Sequence, residues 1–282
     1  MIVSGSATQA FAAELAAETG HDLGDVVYER FADGELKVTV EGFDADGAVV
    51  VASTVSSDAH LEVLQLQDAV AEAGAETVTT VLPYMGYARQ DRAFTEGEPV
   101  SARAVARAIS TGTDRVVTVT PHEDAVCDFF DVPAVAVDAA GRLAAPLPDL
   151  NEPLFLSPDE GAIDLAETVR DAYGDGTTDY FEKTRDYDTG AVEVRPSDAD
   201  CTDRDVVLVD DIIATGSTMA EAVAVLNDRG AARVFVTCVH PLLASNAVTK
   251  LARAGVETVY GTDTIERSVS EVTAAPVVAD AL

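Results

Sequence analysis

The sequence predicts an α/β protein built as two similar doubly wound domains with mainly parallel sheets. Three observations carry that expectation. Short β-branched runs alternate with helical stretches along the whole chain, the signature of βαβ units. The 282 residues are enough for two ordinary domains, each with its own core. One strand–helix–strand pattern also occurs twice. VVVAS, a helix and GAETVTTVLPY in the first half parallel VVLVD, a helix and GAARVFVTCVHP in the second. Ser53 stands 21 residues before Gly74, and Asp210 stands 20 before Gly230. Domains are therefore expected over residues 1–145 and 146–282, joined near the Pro-rich segment Gly141–Pro153.

The strands follow from runs of Val and Thr: Val49–Ala52, Val78–Leu82 and Val116–Thr120 in the first half, Val206–Val209 and Val234–Val239 in the second. After Thr218, apolar residues fall at Met219, Ala222, Val223 and Leu226, a helical spacing. Gly230 is placed to end that helix.

Composition narrows the function. Fifty acidic residues stand against eighteen basic ones, a formal charge of −32, and Lys37, Lys183 and Lys250 are the only lysines. The carboxylates are spread along the chain, so no acidic tail or single acidic docking face is indicated. At about 1 M salt the Debye length shrinks to about 3 Å, which removes most of the self-repulsion. The expected setting is thus the salty cytoplasm of a halophile. No basic stripe is present to neutralise nucleic-acid phosphates, and none is expected to bind. No apolar run reaches the roughly 20 residues that span a bilayer, and MIVSGSATQA lacks the basic start of a secretory signal. A soluble cytoplasmic protein with no membrane partner is expected. Cys127, Cys201 and Cys238 have no C-x-x-C spacing, which reads as small buried thiols and not as a disulfide framework or a zinc site.

The sharpest chemistry lies in VVLVDDIIATGST. An apolar strand ends in Asp210 and Asp211, a pair of carboxylates costly to bury without a ligand or metal. The loop Ala214-Thr215-Gly216-Ser217-Thr218 then enters a helix. Small residues let backbone N–H groups converge on an anion, and the helix N-terminus adds about half a positive charge. A phosphate there would set an attached pentose beside the acids, which suit hydroxyl donors. Neither a Walker A sequence nor a kinase Gly-rich loop is found, so ATP, if used, is held by another device.

This stretch resembles the 5-phosphoribosyl diphosphate loop of the phosphoribosyltransferase superfamily, which implies phosphoribosyltransferase-like domains. The superfamily commonly has an acidic or hydroxyl residue where Ala214 stands. Four further segments resemble the ribose-phosphate diphosphokinase family. Arg30-Phe31-Ala32-Asp33-Gly34-Glu35 is similar to its RF-x-DGE signature; the resemblance implies that Phe31, Asp33, Gly34 and Glu35 meet the adenine of ATP, held mainly by a neighbouring subunit. Tyr84–Arg92 contains Arg89, Gln90, Asp91 and Arg92, and guanidinium forks match phosphate oxygens; the family uses this segment for ATP. His122, ahead of Phe129 and Phe130, resembles the family's histidine at the Mg²⁺–ATP site, and Asp159 in SPD resembles the acid at the other metal position. The usual glutamines after the histidine are replaced, and Gly161 stands where two glycines are common. In EKTRDYDTG, Lys183 and Arg185 lie two residues apart, on one face if the segment is extended, and resemble the cationic pair on the family's closing loop. Arg185 would also serve the ribose 5-phosphate site.

The resemblance implies a diphosphotransferase that moves the β,γ-diphosphate of Mg²⁺–ATP to the C1 hydroxyl of ribose 5-phosphate, as a homo-oligomer of at least two chains. Two rivals remain at this point. A nucleobase phosphoribosyltransferase shares the DD…TGST loop but does not account for RQDR and EKTR. A non-catalytic paralogue of the synthase would be expected to lose the cationic segment.

Overall fold

The computed structural model describes residues 1–185, 192–196 and 200–282, and gives the backbone alone for 182–185 and 192–196. Two compact units are present. One comprises Met1–Asp138, Asp263–Glu266 and Thr273–Leu282, the other Ala139–Thr262 and Arg267–Val272.

The first unit runs β1 (Ile2–Ser4), α1 (Gln9–Thr19), a hairpin of β2 (Asp25–Arg30) and β3 (Leu36–Glu41), β4 (Gly47–Val51), α2 (Ser57–Glu72), β5 (Thr77–Leu82), α3 (Ser101–Ser110), β6 (Arg115–Val119) and β7 (Ala134–Val137). Its main sheet has the order β1-β4-β5-β6-β7, parallel throughout. In β4, Ala48 and Val50 join a core with Val63, Leu66 and Val70 of α2. Val49 and Val51 alternate to the opposite face and are also buried. A strand buried on both faces reads as an unbroken apolar run, which is why VVVAS signals a parallel strand. Each buried Val or Leu contributes about 1.5–3 kcal/mol relative to exposure. An Asp in place of Val50 would put an unpaired charge in that core.

The second unit runs β8 (Leu154–Ser157), α4 (Ile163–Tyr173), β9 (Thr177–Arg185), β10 (Val192–Pro196), β11 (Asp205–Ile212), α5 (Ser217–Asp228), β12 (Arg233–His240), α6 (Ala247–Ala254), β13 (Thr258–Thr262) and β14 (Ser270–Val272). The sheet order is β10-β9-β8-β11-β12-β13-β14, parallel except for the β9–β10 pair. The chain progresses outward from β8 on one side and from β11 on the other. The boundary between β8 and β11 is therefore a topological switch point, where the carboxyl ends of the strands leave a crevice for ligands.

The five strands expected from sequence are β4, β5, β6, β11 and β12, with ends shifted by at most three residues. Helix α5 covers the spacing read after Thr218, and Gly230 follows it at φ +84°. Where the sequence division ran from 146 to 282, compactness groups the last ten residues with the first unit. Helix α7 (Ala275–Ala279) packs on α1, burying Ala275 and Val278. Glu266 accepts from the N–H groups of Ala10 at 2.7 Å and Phe11 at 3.3 Å, at the exposed start of α1. No helix among the described residues is long and apolar enough to cross a membrane.

Candidate active site

The second unit's site begins at the end of β11. Five consecutive buried residues, Asp205 to Val209, lead to Asp210, which keeps part of its surface exposed, and to Asp211, which is buried. Asp210 Oδ1 accepts from the Asp211 N–H at 3.0 Å, and Asp211 Oδ1 accepts from the Ile212 N–H at 2.8 Å. Burial in dense surroundings pushes the Asp210 carboxyl well above the usual carboxylate range, and the charge of Asp211 adds to the rise. A third acid, Asp159, contributes the same way from a short 3-10 turn just after β8. Strands β8 and β11 are parallel neighbours, so adjacent carboxyl ends deliver the three acids to one place. Beneath them Cys238, in register with Asp210 on β12, is fully buried; burial first, and the Asp210 charge second, push its thiol up.

The loop that follows is tied from below. Ile213 N–H bonds to His240 O at 3.2 Å, Leu243 N–H to Ile213 O at 2.8 Å and Ala244 N–H to Ala214 O at 2.8 Å. Gly216 sits at φ +68° immediately before α5. That left-handed conformation favours glycine, and a Cβ there would lie 3.4 Å from both Ala247 Cβ and Leu251 Cγ of α6. Helix α5 has no side-chain cap and no acid in its first turn. Thr215, Ser217 and Thr218 are exposed around that open end. An uncapped and acid-free helix start can accept an anion, and a chain with fifty acids has left this one free of them.

In the first unit, Phe31–Glu35 forms the turn of the β2–β3 hairpin. Phe31 N–H bonds to Glu35 O and Gly34 N–H to Phe31 O, each at 2.9 Å, with Gly34 at φ +93°. Asp33 Oδ1 accepts from the Glu35 N–H at 3.2 Å, and the Phe31 ring is 54% exposed. It borders a groove with Leu36, Val38, Leu61 and Leu64. An exposed ring beside apolar side chains can stack on a planar base.

Arg89 and Arg92 are exposed; Gln90 and Asp91 are half-buried. Gln90 is held by its backbone, which accepts from Ala102 N–H at 3.2 Å and donates to Tyr87 O at 2.8 Å, and by a hydrogen bond from Ser101. Arg92 lies 5.5 Å from the Phe94 ring centroid. His122 is exposed beyond β6, in the first unit, whereas Asp159 belongs to the second. Among the described residues, no group of three or more His, Cys, Asp or Glu side chains could by itself hold a metal ion. Mg²⁺ does not require one, since it is usually bound through one or two carboxylates, water and substrate phosphates. Asp159 is a suitable oxygen donor, and a cation beside it would offset the repulsion that raises Asp210.

The backbone of Lys183 and Arg185 lies in β9, paired with Val194 and Val192 of β10. Their side chains lie outside the described residues.

Sequence reasoning passed over Lys250 of α6. Its ammonium group donates to Thr215 O at 2.9 Å and to Ser217 Oγ at 2.7 Å. The available signal was scarcity, since a lysine-poor chain has set one of its three lysines here. It also passed over Arg233, which grips the buried Asp205 carboxylate with a 2.9 Å bond from Nε, in a pair that braces the start of β11. The three thiols are free; Cys201 and Cys238 are buried, while Cys127 is only partly so.

Comparison with known proteins agrees on both units. Residues 1–112 match the N-terminal domain of ribose phosphate pyrophosphokinase, and residues 133–274 match the phosphoribosyl transferase domain. The chain is 65% identical to the ribose-phosphate pyrophosphokinase of Halobacterium salinarum, covering all of both chains. It is 41% identical to that of Methanosarcina mazei, over 100% of this chain and 94% of the other. The crystal structure of phosphoribosylpyrophosphate synthetase from Mycobacterium smegmatis superposes with a TM-score of 0.82 at 29% identity, covering 100% of this chain and 96% of that one.

Proposed function

Since the chain belongs to the ribose phosphate pyrophosphokinase family, we propose that it carries the β,γ-diphosphate of ATP to the C1 hydroxyl of ribose 5-phosphate, with the division of labour that follows. The products are 5-phosphoribosyl 1-diphosphate and AMP. The observation that carries this reading is the open, acid-free start of α5 directly behind a pair of acids at the end of β11.

The 5-phosphate of the sugar is bound by the backbone N–H groups of Ala214–Thr218 and the hydroxyls of Thr215, Ser217 and Thr218. Asp210 and Asp211 take the ring hydroxyls as acceptors. The adenine of ATP lies against Phe31 and the Asp33-Gly34-Glu35 turn. Its phosphates are gripped by the Arg89-Gln90-Asp91-Arg92 segment. Two Mg²⁺ positions, at His122 and Asp159, would neutralise phosphate charge. The C1 oxygen attacks the β-phosphorus in line. The bond from β-phosphorus to the α,β-bridging oxygen breaks, AMP departs with that oxygen, and the hydroxyl proton is lost to solvent. Transfers of this kind depend on positioning and charge neutralisation more than on covalent catalysis. Lys183 and Arg185 supply positive charge where negative charge grows. The working assembly is a homo-oligomer of at least two chains, in a salt-rich cytoplasm.

The test is release of AMP from ATP. It should depend strictly on ribose 5-phosphate, and a nucleobase should not replace that sugar. Lys183→Ala should lower turnover about 10²–10³-fold, the range for removing one transition-state donor, with ribose 5-phosphate binding within about twofold of wild type. AMP release indifferent to the sugar would overturn the reading, and full turnover in the variant would remove Lys183 from it.

A further inference from the structure

We propose that Lys250 is a positioning residue of the sugar-phosphate site, acting from α6 on the anion loop; the inference rests on the function proposed above. An ammonium group donates and never accepts. Its bond to Thr215 O, at 2.9 Å, draws that carbonyl to the α6 side of the loop. A carbonyl held away from the phosphate leaves the neighbouring N–H groups to face it. Its bond to Ser217 Oγ, at 2.7 Å, occupies a lone pair of that oxygen. Ser217 is thereby left as a donor of its own proton, either to the phosphate or to Thr215 Oγ1, 3.4 Å away. In the second case Thr215 in turn can donate only outward. Lys250 thus sets the polarity of two hydroxyls that would otherwise rotate between donating to an anion and accepting elsewhere.

Gly216 packs directly on Ala247 and Leu251 of α6, three residues before Lys250 and one after it. Lys250 therefore joins a fixed helix to the two residues flanking that glycine. The full positive charge also stands at the loop's back in a protein of net charge −32, where an approaching dianionic phosphate meets few attractive groups.

Steady-state kinetics separate this role from a structural one. Lys250→Met should raise KM for ribose 5-phosphate about tenfold, leave KM for ATP unchanged and keep kcat within about twofold. Lys250→Arg, which also donates to two acceptors, should return KM to within about threefold of wild type. In combination with Ser217→Ala the effect of Lys250→Met should shrink, because the two groups act as one unit. Unchanged KM in Lys250→Met, or equal loss for both substrates, overturns the proposal. Should the methionine variant not fold, Lys250→Gln against Lys250→Arg reads the same contrast, and equal KM values in that pair overturn it. A wild-type enzyme without sugar-dependent AMP release would overturn the parent function instead, so the two failures are distinguishable.

Discussion

The β4–α2–β5 and β11–α5–β12 segments share a backbone plan and differ in what the turn between strand and helix does with its polar groups. In the first, the turn satisfies itself. Ser56 caps α2 by accepting from Ala59 N–H at 3.1 Å, Asp58 occupies the first turn, Ser53 donates to Thr264 O, and Thr54 Oγ1 accepts from Gly86 N–H at 2.7 Å. In the second, Gly216 replaces the capping side chain, the first turn contains no acid, and three hydroxyls stay exposed. The strand ends differ accordingly, Ser53-Thr54 against Asp210-Asp211. A helix start is a receptor only when nothing inside the protein has already answered its N–H groups. One half spends that capacity on stability and the other leaves it open, as the function proposed above requires.

Giving the second turn the first turn's acid should have the largest effect. Thr218→Asp places a carboxylate at the start of α5, as Asp58 stands at the start of α2. Two like charges about 4 Å apart interact by about 4 kcal/mol at the effective dielectric of a protein surface. Ribose 5-phosphate affinity should fall at least about a hundredfold, less at about 1 M KCl, where screening is stronger. Thr218→Asn controls for shape and should lose far less. Calorimetric titration with the sugar phosphate decides it; equal losses in Asp and Asn would mean that charge at the helix start is irrelevant.

Asp210→Asn addresses the strand end. The folded-state pKa of Asp210 lies above its ordinary 3.8, chiefly through burial. A raised carboxyl contributes stability that is fully present below the unfolded value and is lost as pH rises through the folded one. At neutral pH the ionised group is therefore a liability to the unliganded fold. The variant should melt about 2–4 °C higher near pH 7, and that advantage should vanish as pH falls toward 4. It should also bind ribose 5-phosphate at least about tenfold more weakly, since a hydrogen bond to a charged group is worth about 1.5–3 kcal/mol. A variant that melts lower at pH 7, or binds the sugar normally, breaks the assignment.

The contrast between the turns explains what was legible in the sequence. Val-rich runs announce strands buried on both faces, and local spacing announces α5, because both signals depend on residues near in sequence. The Asp-Asp pair and the ATGST loop are likewise contiguous, so their chemistry can be read directly. What escaped is non-local. Nothing in AVTKLARAG reveals that Lys250 reaches back 33 residues to Ser217. Nothing in APVVADAL reveals that α7 packs on α1, or in TIER that Glu266 meets the amides of Ala10 and Phe11. The assembly of Asp159 beside Asp210 also needed the parallel pairing of β8 with β11, which fixes which strand ends share a crevice. His60 is a further case: among the described residues both buried ring nitrogens find no hydrogen-bond partner, and burial lowers its pKa, while its ring lies 5.4 Å from that of Tyr87.

Salt should act in opposite directions on the two uses of polar groups. Raising KCl from about 0.1 M to about 1 M shortens the Debye length from about 10 Å to about 3 Å. Relief of repulsion among fifty acids should raise the melting temperature by about 5 °C or more. The same screening should weaken the loop's hold on a phosphate, so KM for ribose 5-phosphate should rise a few-fold as stability climbs. Paired melts and kinetics across one KCl series test this. A melting temperature that falls with KCl would remove charge repulsion as the dominant cost of the fold.

The smallest effect should come from removing the cap that makes the first turn self-sufficient. Ser56→Ala deletes the oxygen that receives the Ala59 N–H and leaves a donor of α2 unanswered. Loss of a serine cap costs about 1 kcal/mol, or about 2–4 °C in a protein of this size. KM for ribose 5-phosphate should stay within about twofold, because α2 has Asp58 in its first turn and is no anion receptor. Ser217→Ala, at the corresponding start of α5, should show the reverse pattern: little change in melting temperature, since its hydroxyl caps nothing, and a measurable rise in KM. If both alanines lowered stability equally and left KM alone, the two turns would be doing the same job, and the division between a closed helix start and an open one would not hold.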